Sequence, residues 1–421
     1  MMALTSVEKR VLDSMDRKGL VDAILDLVSI ESVGGAETPA QRWVMTLMEE
    51  VGLEVDSWQL DFKELAKHPG HSTEVDRSSG LGVVGRMGTG LAEDGLIYNG
   101  HVDVVPPGIR ERWSSPPFEP QVREGKVFGR GAVDMKAGLC SAIFAAKAIK
   151  NAGVTLKTPL MIQSVIGEED GGVGTLAAIM RGYKARGAVV MEPTSLQVVT
   201  TGAGCQNFRI RVAGKAAHGA LRGEGVSAIE KSIVILSALD SFEGKRNRKK
   251  HPLIPGELPF PICVGKISGG EWASSVSEGV LIEGRYGILP GEGLLAAREA
   301  FEDALEKASL GDEWLSTHKP EIEWWGGRFE SVSVDPHVGI AAAVQESHRA
   351  VTDTEPKVTG VPYGSDMGLL VNHGDTPTVL YGPGDVRNAH RPDEFVPVDE
   401  VFNATKTLAL TAMRFCGSAS G

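Results

Sequence analysis

The sequence lacks any apolar run that approaches the roughly 20 residues of a membrane-spanning helix. Its N-terminal stretch, MMALTSVEKRVLDSMDRKG, mixes charged and apolar residues at helical spacing, so the apolar core of a signal peptide is also missing. These absences argue against a membrane protein and against a secreted one. We therefore expect a cytoplasmic protein that does not bind membranes.

Cysteine is scarce, and no two of the four cysteines form a CxxC pair. They are Cys140, Cys205, Cys263 and Cys416. Such wide spacing argues against a cysteine-based zinc site and is typical of reduced, mostly buried side chains in a cytosolic protein.

Basic residues are fewer than acidic ones, which gives the chain a net charge of −12. Nucleic acid is therefore not an expected partner, since phosphate binding needs a basic surface. The run KRNRKKH at 245–251 is a local exception. It is typical of a solvated loop, and the alternative is a patch that attracts an anionic substrate.

The length of 421 residues exceeds what one hydrophobic core usually serves, so we expect two domains. In the first half, short β-branched runs such as LGVVG, LIYNG, LMIQSVIG and AVVME alternate with helical patterns. One such helix is predicted to open at Thr38-Pro39 and to close at Gly52. The alternation predicts an α/β domain with a mixed, largely parallel sheet flanked by helices.

The middle of the chain has a different pattern. From NFRIRVAG to PEIEWW the order is strand, helix, strand, strand, helix, strand. This β-α-β-β-α-β order is that of a compact ferredoxin-like unit. The C-terminal part again alternates strands with helices, and it ends in the amphipathic helical pattern VDEVFNATKTLALTAMRF. We predict a main domain at 1–203 and 326–421, with an inserted domain at 204–325.

Acidic and histidine residues recur where predicted strands end and in the loops that follow. They are His101 with Asp103, Asp134, Glu168 with Glu169, Glu192, and His390. Ligands of open α/β sheets bind beyond the carboxyl ends of the strands, so these distant segments can converge on one crevice. Two imidazoles and three carboxylates suit zinc or a related divalent ion.

The adjacent pair Glu168-Glu169 is the most informative of these sites. Two neighbouring carboxylates beyond a buried strand repel each other and are costly to desolvate, so a purely structural role is disfavoured. If one carboxylate binds metal, the other is free to take a proton from a metal-bound water. The alternative is a solvated acidic loop.

The motifs GHVDVVPPG, GRGAVDMKAG, GEEDGG, MEPT and AHRPDE, in this order, resemble those of the dinuclear zinc hydrolases. That family includes acetylornithine deacetylase, succinyl-diaminopimelate desuccinylase, aminoacylase and the glutamate carboxypeptidases. The resemblance covers nearly the whole chain. It implies a zinc exopeptidase-like catalytic domain and assigns the inserted unit as a lid and dimerisation domain, so a homodimer is expected.

The resemblance also implies a role for each motif residue. His101, Asp134 and Glu192 would hold one Zn²⁺, while Asp134, Glu169 and His390 would hold a second, with Co²⁺ or Mn²⁺ as alternatives. Asp103 would orient His101, and Glu168 would be the general base.

Substrate contacts are implied as well. His218 in GKAAHGA would polarise the scissile carbonyl, and Arg285 would bind a substrate carboxylate. Ser274 stands where many members carry an asparagine, which places that contact in question. Ser365 and Asp366, in YGSDMG, are further substrate-side candidates.

These features predict hydrolysis of an amide bond in an N-acyl amino acid or a related small molecule. A dipeptidase, a carboxypeptidase or an N-carbamoyl amidohydrolase on the same fold is the alternative within this chemistry, because metal ligands do not fix the substrate. A catalytically inactive, ligand-binding relative is the alternative from another class. Glu168 discriminates, since metal binding alone does not need it.

Overall fold

The computed structural model describes residues 4–337 and 339–420. Residues 1–3, 338 and 421, which the predicted bounds of the main domain include, lie outside that description. The helices are α1 (Ser6–Asp13), α2 (Arg17–Ser29), α3 (Thr38–Val51), α4 (Phe62–Leu65), α5 (Ala137–Asn151), α6 (Val173–Met180), α7 (Ala228–Arg246), α8 (Leu294–Leu310), α9 (Gly339–Thr352), α10 (Met367–Asn372) and α11 (Val398–Cys416). None of the described helices is long and apolar enough to cross a membrane.

The strands are short and spread along the described chain. They are β1 (Glu54–Gln59), β2 (Leu81–Met87), β3 (Leu96–His101), β4 (Gln121–Arg123), β5 (Lys126–Phe128), β6 (Val154–Leu156), β7 (Leu160–Val165), β8 (Gly187–Val190), β9 (Val198–Gly202), β10 (Gly204–Ala213), β11 (Ala217–His218), β12 (Ile262–Gly269), β13 (Ser275–Val276), β14 (Gly279–Ile288), β15 (Glu321–Phe329), β16 (Val332–Ser333), β17 (Val358–Val361), β18 (Thr378–Leu380), β19 (Phe395–Pro397) and β20 (Ser418–Ser420).

The described residues divide into two compact units. The first contains those of Met1–Thr200, Val334–Thr359 and Ser365–Gly421. The second contains Thr201–Ser333 and the short segment Gly360–Gly364. The predicted insert at 204–325 falls within the second unit, whereas nothing in the sequence pattern indicates that the segment 360–364 belongs there.

The first unit is built on the large sheet, in which seven strands follow the order β1-β2-β7-β3-β8-β18-β9. The four middle strands, from β7 to β18, are parallel, and antiparallel strands flank them on both sides. Strands β3, β7 and β8 are buried along their whole length, as their continuous apolar runs predict. The predicted α/β class with a mixed, largely parallel sheet is confirmed.

Helix α3 shows how local sequence sets these elements. It begins at Thr38, carries a proline in its first turn and ends before Gly52, whose φ of 79° is left-handed. Glycine adopts this conformation without a steric penalty, so it is a common residue just after a helix. Strand β1 was not predicted, because its residues are half-exposed and its sequence, EVDSWQ, is largely polar.

The second unit contains a four-stranded antiparallel sheet in the order β12-β14-β10-β15. Phe208, Ile210, Ile282, Phe301 and other buried side chains of α7, α8 and this sheet form its core. The main strands and the two helices follow the predicted β-α-β-β-α-β order along the chain.

The basic run at 245–251 is only partly the solvated loop that its charge suggests. The Arg246 side chain is 8% exposed and forms an ion pair with Glu292 at 2.6 Å. Its guanidinium also lies 4.7 Å from the centre of the Tyr286 ring. Asn247 is buried too and bonds to the backbone of Phe260. These two residues therefore hold the end of α7 to the core of the second unit.

Candidate metal centre

The sheet of the first unit places three strand ends at one edge. His101 is the last residue of β3, the loop with Glu168 and Glu169 follows β7, and Glu192 lies just beyond β8. Because β3, β7 and β8 are parallel neighbours, their carboxyl ends lie at the same edge of the sheet. Asp134 precedes α5, and His390 lies in the loop before β19.

Asp134 lies between two histidines. Its Oδ1 is 3.2 Å from Nε2 of His101, and its Oδ2 is 3.3 Å from Nε2 of His390. His390 also lies 3.0 Å from Oε2 of Glu169. The two oxygens of one carboxylate thus face two different imidazoles, as a bridging ligand requires.

The remaining carboxylates surround the same point. Nε2 of His101 is 4.0 Å from Oε2 of Glu168 and 3.9 Å from Oε1 of Glu192. Two sets have ligand atoms within 4.8 Å of one another: His101 with Asp134 and Glu169, and His101 with Glu168 and Glu192. The structure thus brings together all five predicted metal ligands and Glu168.

The cluster carries an excess of negative charge. Burial raises the pKa of Glu168 well above its usual range, and the nearby Glu192 raises it further. Burial and the charge of Asp134 do the same to the pKa of Glu192. Burial alone would lower the pKa of His101, but the neighbouring carboxylates, Asp103 first, raise it well above normal. A positive charge at this point would relieve these interactions.

These residues fit a divalent cation. Among the described residues, the carboxylates of Asp134, Glu168, Glu169 and Glu192 form ion pairs with histidines and with no lysine or arginine. Oε1 of Glu192 is buried without a hydrogen-bond partner in the described chain. A buried carboxylate oxygen without a partner is costly. Imidazole nitrogens mixed with carboxylate oxygens are the donor set of zinc and related ions.

Asp103 supports the centre differently from what was expected. Nδ1 of His101 is 2.9 Å from the backbone carbonyl of Asp103, but 3.6 Å from its carboxylate. The hydrogen bond that orients His101 is therefore to the carbonyl. The carboxylate instead accepts from the backbone N–H of Glu169 at 3.0 Å. Asp103 thus contacts both the imidazole of His101 and the backbone of Glu169.

Backbone conformation and space explain why glycines occur beside the candidate ligands. Gly167 has a φ of 69°, so the turn that leads into Glu168 has a left-handed residue. Space at Gly100 is tight, because a Cβ there would lie 3.1 Å from the methyl carbons of Met135 and Met191. His390 itself has a φ of 57°, an uncommon conformation for a non-glycine residue and one that is concentrated at functional sites.

Three of the predicted substrate contacts lie in the second unit. His218 is exposed, and its Nδ1 accepts a hydrogen bond from the N–H of Ala220 at 3.1 Å. The neutral ring therefore carries its proton on Nε2. Arg285 is half-buried on β14, and Ser274 is exposed in the loop before β13.

The other two predicted contacts lie in the first unit and are buried. Oγ of Ser365 accepts from the N–H of Met367 at 3.4 Å. Asp366 is fully buried, and its Oδ2 accepts from the hydroxyl of Thr175 at 2.5 Å. Burial raises the pKa of Asp366 to about 7. Asp366 is thus an enclosed carboxylate in the described chain, and its contact with a substrate stays a prediction.

The sequence patterns did not predict a group of buried polar residues next to the candidate centre. Asn99, on β3, donates to Gln163 at 3.0 Å and to Thr175 at 2.8 Å, and all three are fully buried. Together with Asp366 they form a continuous hydrogen-bonded chain. The sequence does carry a signal for them: Asn99 and Gln163 are amide side chains inside the largely apolar runs LIYNG and LMIQSV.

Comparison with a known family covers most of this chain. The sequence model described as "Peptidase family M20/M25/M40" matches residues 97–414. That range contains every predicted metal ligand and Glu168.

Individual proteins that are similar to this chain include a deformylase and a deacetylase. The chain is 31% identical, over 89% of its length and 89% of the relative's, to the N-formyl-4-amino-5-aminomethyl-2-methylpyrimidine deformylase of Bacillus subtilis (strain 168). It is 27% identical, over 78% and 82%, to the acetylornithine deacetylase of Pasteurella multocida. A family M20 metallo-carboxypeptidase from Sulfolobus solfataricus shares the fold, with a TM-score of 0.75, 16% identity and coverage of 94% and 99%.

Proposed function

Because this chain belongs to the M20/M25/M40 peptidase family, a family of hydrolases of amide and peptide bonds, we propose that it removes a short acyl group from the nitrogen of a small molecule. Water adds to the acyl carbon, the carbon–nitrogen bond breaks, and a carboxylate and an amine leave. The names of the relatives, a deformylase and a deacetylase, favour formyl and acetyl groups.

The observation that carries the proposal is the position of Glu168. Its side chain is 10% exposed and lies 4.0 Å from the imidazole of His101. It immediately precedes Glu169, which contacts His390. A buried carboxylate beside a ligand cluster is suited to hold and release a proton.

We assign the ligands in two sets. His101, Asp134 and Glu192 would hold one Zn²⁺, and Asp134, Glu169 and His390 would hold the other. Bound divalent ions supply Lewis acidity, which lowers the pKa of a coordinated water and polarises a carbonyl. Both distances from Asp134 to the histidines, 3.2 Å and 3.3 Å, support its place in both sets.

The residues of the chain perform the proton transfers. Glu168 takes a proton from the attacking water and delivers it to the departing nitrogen. Asp103 keeps Nδ1 of His101 protonated through its carbonyl, so Nε2 faces the ligand cluster.

Residues of the second unit would bind the substrate. The N–H at Nε2 of His218 is suited to donate to the carbonyl oxygen of the amide. Arg285 is suited to a carboxylate through its paired N–H groups. Ser274 would offer a hydroxyl where many relatives have an amide side chain. Ser365 remains a candidate contact in the first unit.

The test is a release assay on purified, zinc-loaded protein. The panel contains N-formyl, N-acetyl, N-succinyl and N-carbamoyl amines and amino acids, together with dipeptides. We expect release from N-formyl or N-acetyl compounds. Preference for dipeptides would instead support the peptidase alternative, and hydrolysis of N-carbamoyl compounds alone would support an N-carbamoyl amidohydrolase.

The bridging role of Asp134 predicts a coupled loss of metal. We expect Asp134→Asn to weaken both metals together, because an amide is a poorer ligand and one oxygen is replaced. Metal content after dialysis, measured by mass spectrometry, checks this. Asp56→Asn, at an exposed ion pair on β1, is the control and should keep both ions. Full occupancy in Asp134→Asn would contradict the bridge.

We also propose that the second unit mediates a homodimer with a second copy of this chain. Strand β12 is at the edge of the four-stranded sheet and is largely exposed. Exposed apolar side chains occur on it and on α7, which packs beside it: Ile267 at 52%, Ile229 at 49% and Ile233 at 60% exposure. An unpaired edge flanked by apolar residues favours self-association.

We expect Ile233→Glu to convert a dimer into a monomer, because a buried unpaired charge opposes association. Light scattering after gel filtration should show a fall from twice the chain mass to the chain mass of 44.7 kDa. Leu91→Glu, at an equally exposed leucine of the first unit, is the control and should remain dimeric. A dimer that persists in Ile233→Glu would place the interface elsewhere.

A further inference from the structure

Glu394 is a buried carboxylate that belongs to neither proposed ligand set. It is fully buried and lies four residues after His390. Its Oε1 accepts hydrogen bonds from the backbone N–H of Val133 at 3.0 Å and from that of Asp134 at 3.2 Å. One oxygen atom of Glu394 thus binds the backbone of Asp134, the residue whose carboxylate faces both histidines.

The other carboxylate oxygen of Glu394 has a different partner. Oε2 pairs with the guanidinium of Arg130, whose side chain is 2% exposed. The backbone carbonyl of Glu394 accepts from the N–H of Gly129 at 3.0 Å. Four contacts of Glu394 therefore join the segment that follows His390 to the loop that precedes α5.

The loop around Asp134 needs such a partner. Asp134 (φ −121°, ψ 95°) and Met135 (φ −131°, ψ 31°) are not helical, so a regular helix does not organise their backbone. Buried backbone N–H groups must be paired, and Glu394 pairs two of them. Stability alone does not explain a charged group here, because an apolar pair of similar volume is often as stable as a buried ion pair.

We propose that Glu394 is a positioning residue for the metal centre. It fixes the backbone of Asp134 relative to His390, so that both oxygens of Asp134 face the two imidazoles before a metal binds. The inference rests on the proposed function, because it assumes that Asp134 and His390 are ligands. Its consequence is metal affinity, which can be measured without any substrate.

Two double variants separate this hydrogen-bonding role from that of the ion pair. Both replace the charged pair by neutral side chains of similar volume: Arg130→Met with Glu394→Gln, and Arg130→Met with Glu394→Met. They differ in one respect, since the glutamine oxygen can still accept from Val133 and Asp134, whereas methionine cannot. We expect the glutamine variant to bind Co²⁺ nearly as tightly as the wild type. We expect the methionine variant to bind it about 10-fold to 100-fold more weakly.

Co²⁺ titration followed by its visible absorption is the measurement, with thermal unfolding of each apo variant beside it. Glu8→Gln breaks a partly buried pair of the first unit, that of Glu8 with Arg414 at 2.7 Å, far in sequence from every proposed ligand. It controls for a general loss of stability and should keep the wild-type affinity. Equal affinity in the two double variants would overturn the proposal, as would equal weakening in both.

A wild-type protein that binds no Co²⁺ would overturn the proposed metal centre, and this inference with it. Should the methionine variant fail to fold, hydrogen exchange of the wild-type apo protein decides. The amides of Val133 and Asp134 should then be protected, and exchange at the rate of an open loop would overturn the role of Glu394.

Discussion

Glu168→Gln should lower kcat by about 10²-fold to 10⁴-fold, the usual contribution of a positioned general base. Glutamine has nearly the same size as glutamate and keeps an oxygen that can accept hydrogen bonds, but it cannot take a proton from water at neutral pH. The fold and the bound metals should therefore be unchanged. Steady-state kinetics on the best substrate of the panel, with metal analysis of the same preparation, checks both statements.

The neighbouring residue provides the matched control. Glu169→Gln removes a proposed ligand instead of the base, so it should lose metal along with activity. Glu168 also lies within ligand distance of His101 and Glu192, which makes a ligand role the rival interpretation. If Glu168→Gln lost metal as Glu169→Gln does, the ligand role would replace the base. Wild-type turnover in Glu168→Gln would exclude both roles.

That the candidate ligand residues lie close together could be predicted from sequence, because they follow a local pattern. His101, Glu168, Glu169 and Glu192 each end or follow a buried strand, and an apolar run marks every such strand in the sequence. The parallel order then brings the strand ends to one edge. Local pattern and tertiary arrangement agree at these positions.

The buried contacts around the candidate centre could not be predicted in this way. Glu394 contacts Asp134 across 260 positions of the chain, and Arg77 contacts Asp170 across 93. No spacing rule connects such pairs. Arg77 and Asp76 look alike as charged residues of a polar loop, yet Arg77 is buried and Asp76 is exposed. Only the packing of distant segments distinguishes them.

The strongest such contact gives the second large prediction. The Arg77 side chain is 1% exposed and lies between two buried carboxylates. Its Nη2 is 2.7 Å from Glu37 Oε1 and 2.7 Å from Asp170 Oδ1, and its Nη1 is 2.9 Å from Asp170 Oδ2. Burial would raise the pKa of Asp170, but its hydrogen bonds with Arg77 lower it below normal. The arginine therefore supplies the positive charge that both enclosed carboxylates face.

Arg77→Met should lower the free energy of unfolding by about 3–5 kcal/mol at neutral pH, because it leaves buried carboxylates without a counter-charge. The difference in the free energy of unfolding between wild type and variant should become smaller as the pH falls. In the wild type, the stability that the lowered pKa of Asp170 provides is fully present above about pH 3.9 and is lost as the pH falls through that lowered pKa. In the variant, Asp170 loses this counter-charge while its burial remains, so its protonation relieves the destabilisation at a higher pH than in the wild type. The gap between the two proteins therefore narrows on acidification.

Urea denaturation at pH 7 and pH 4.5, fitted with two transitions because the chain has two units, measures this gap. Arg181→Met is the matched control, since Arg181 pairs with Asp56 at 2.6 Å but is 42% exposed. An exposed pair should contribute at most about 1 kcal/mol. If Arg77→Met cost no more than Arg181→Met, the buried arginine would contribute nothing beyond an ordinary surface pair. A large, pH-dependent cost would instead identify Arg77 as the residue that holds the loop of Glu168 and Glu169, since Asp170 directly follows them.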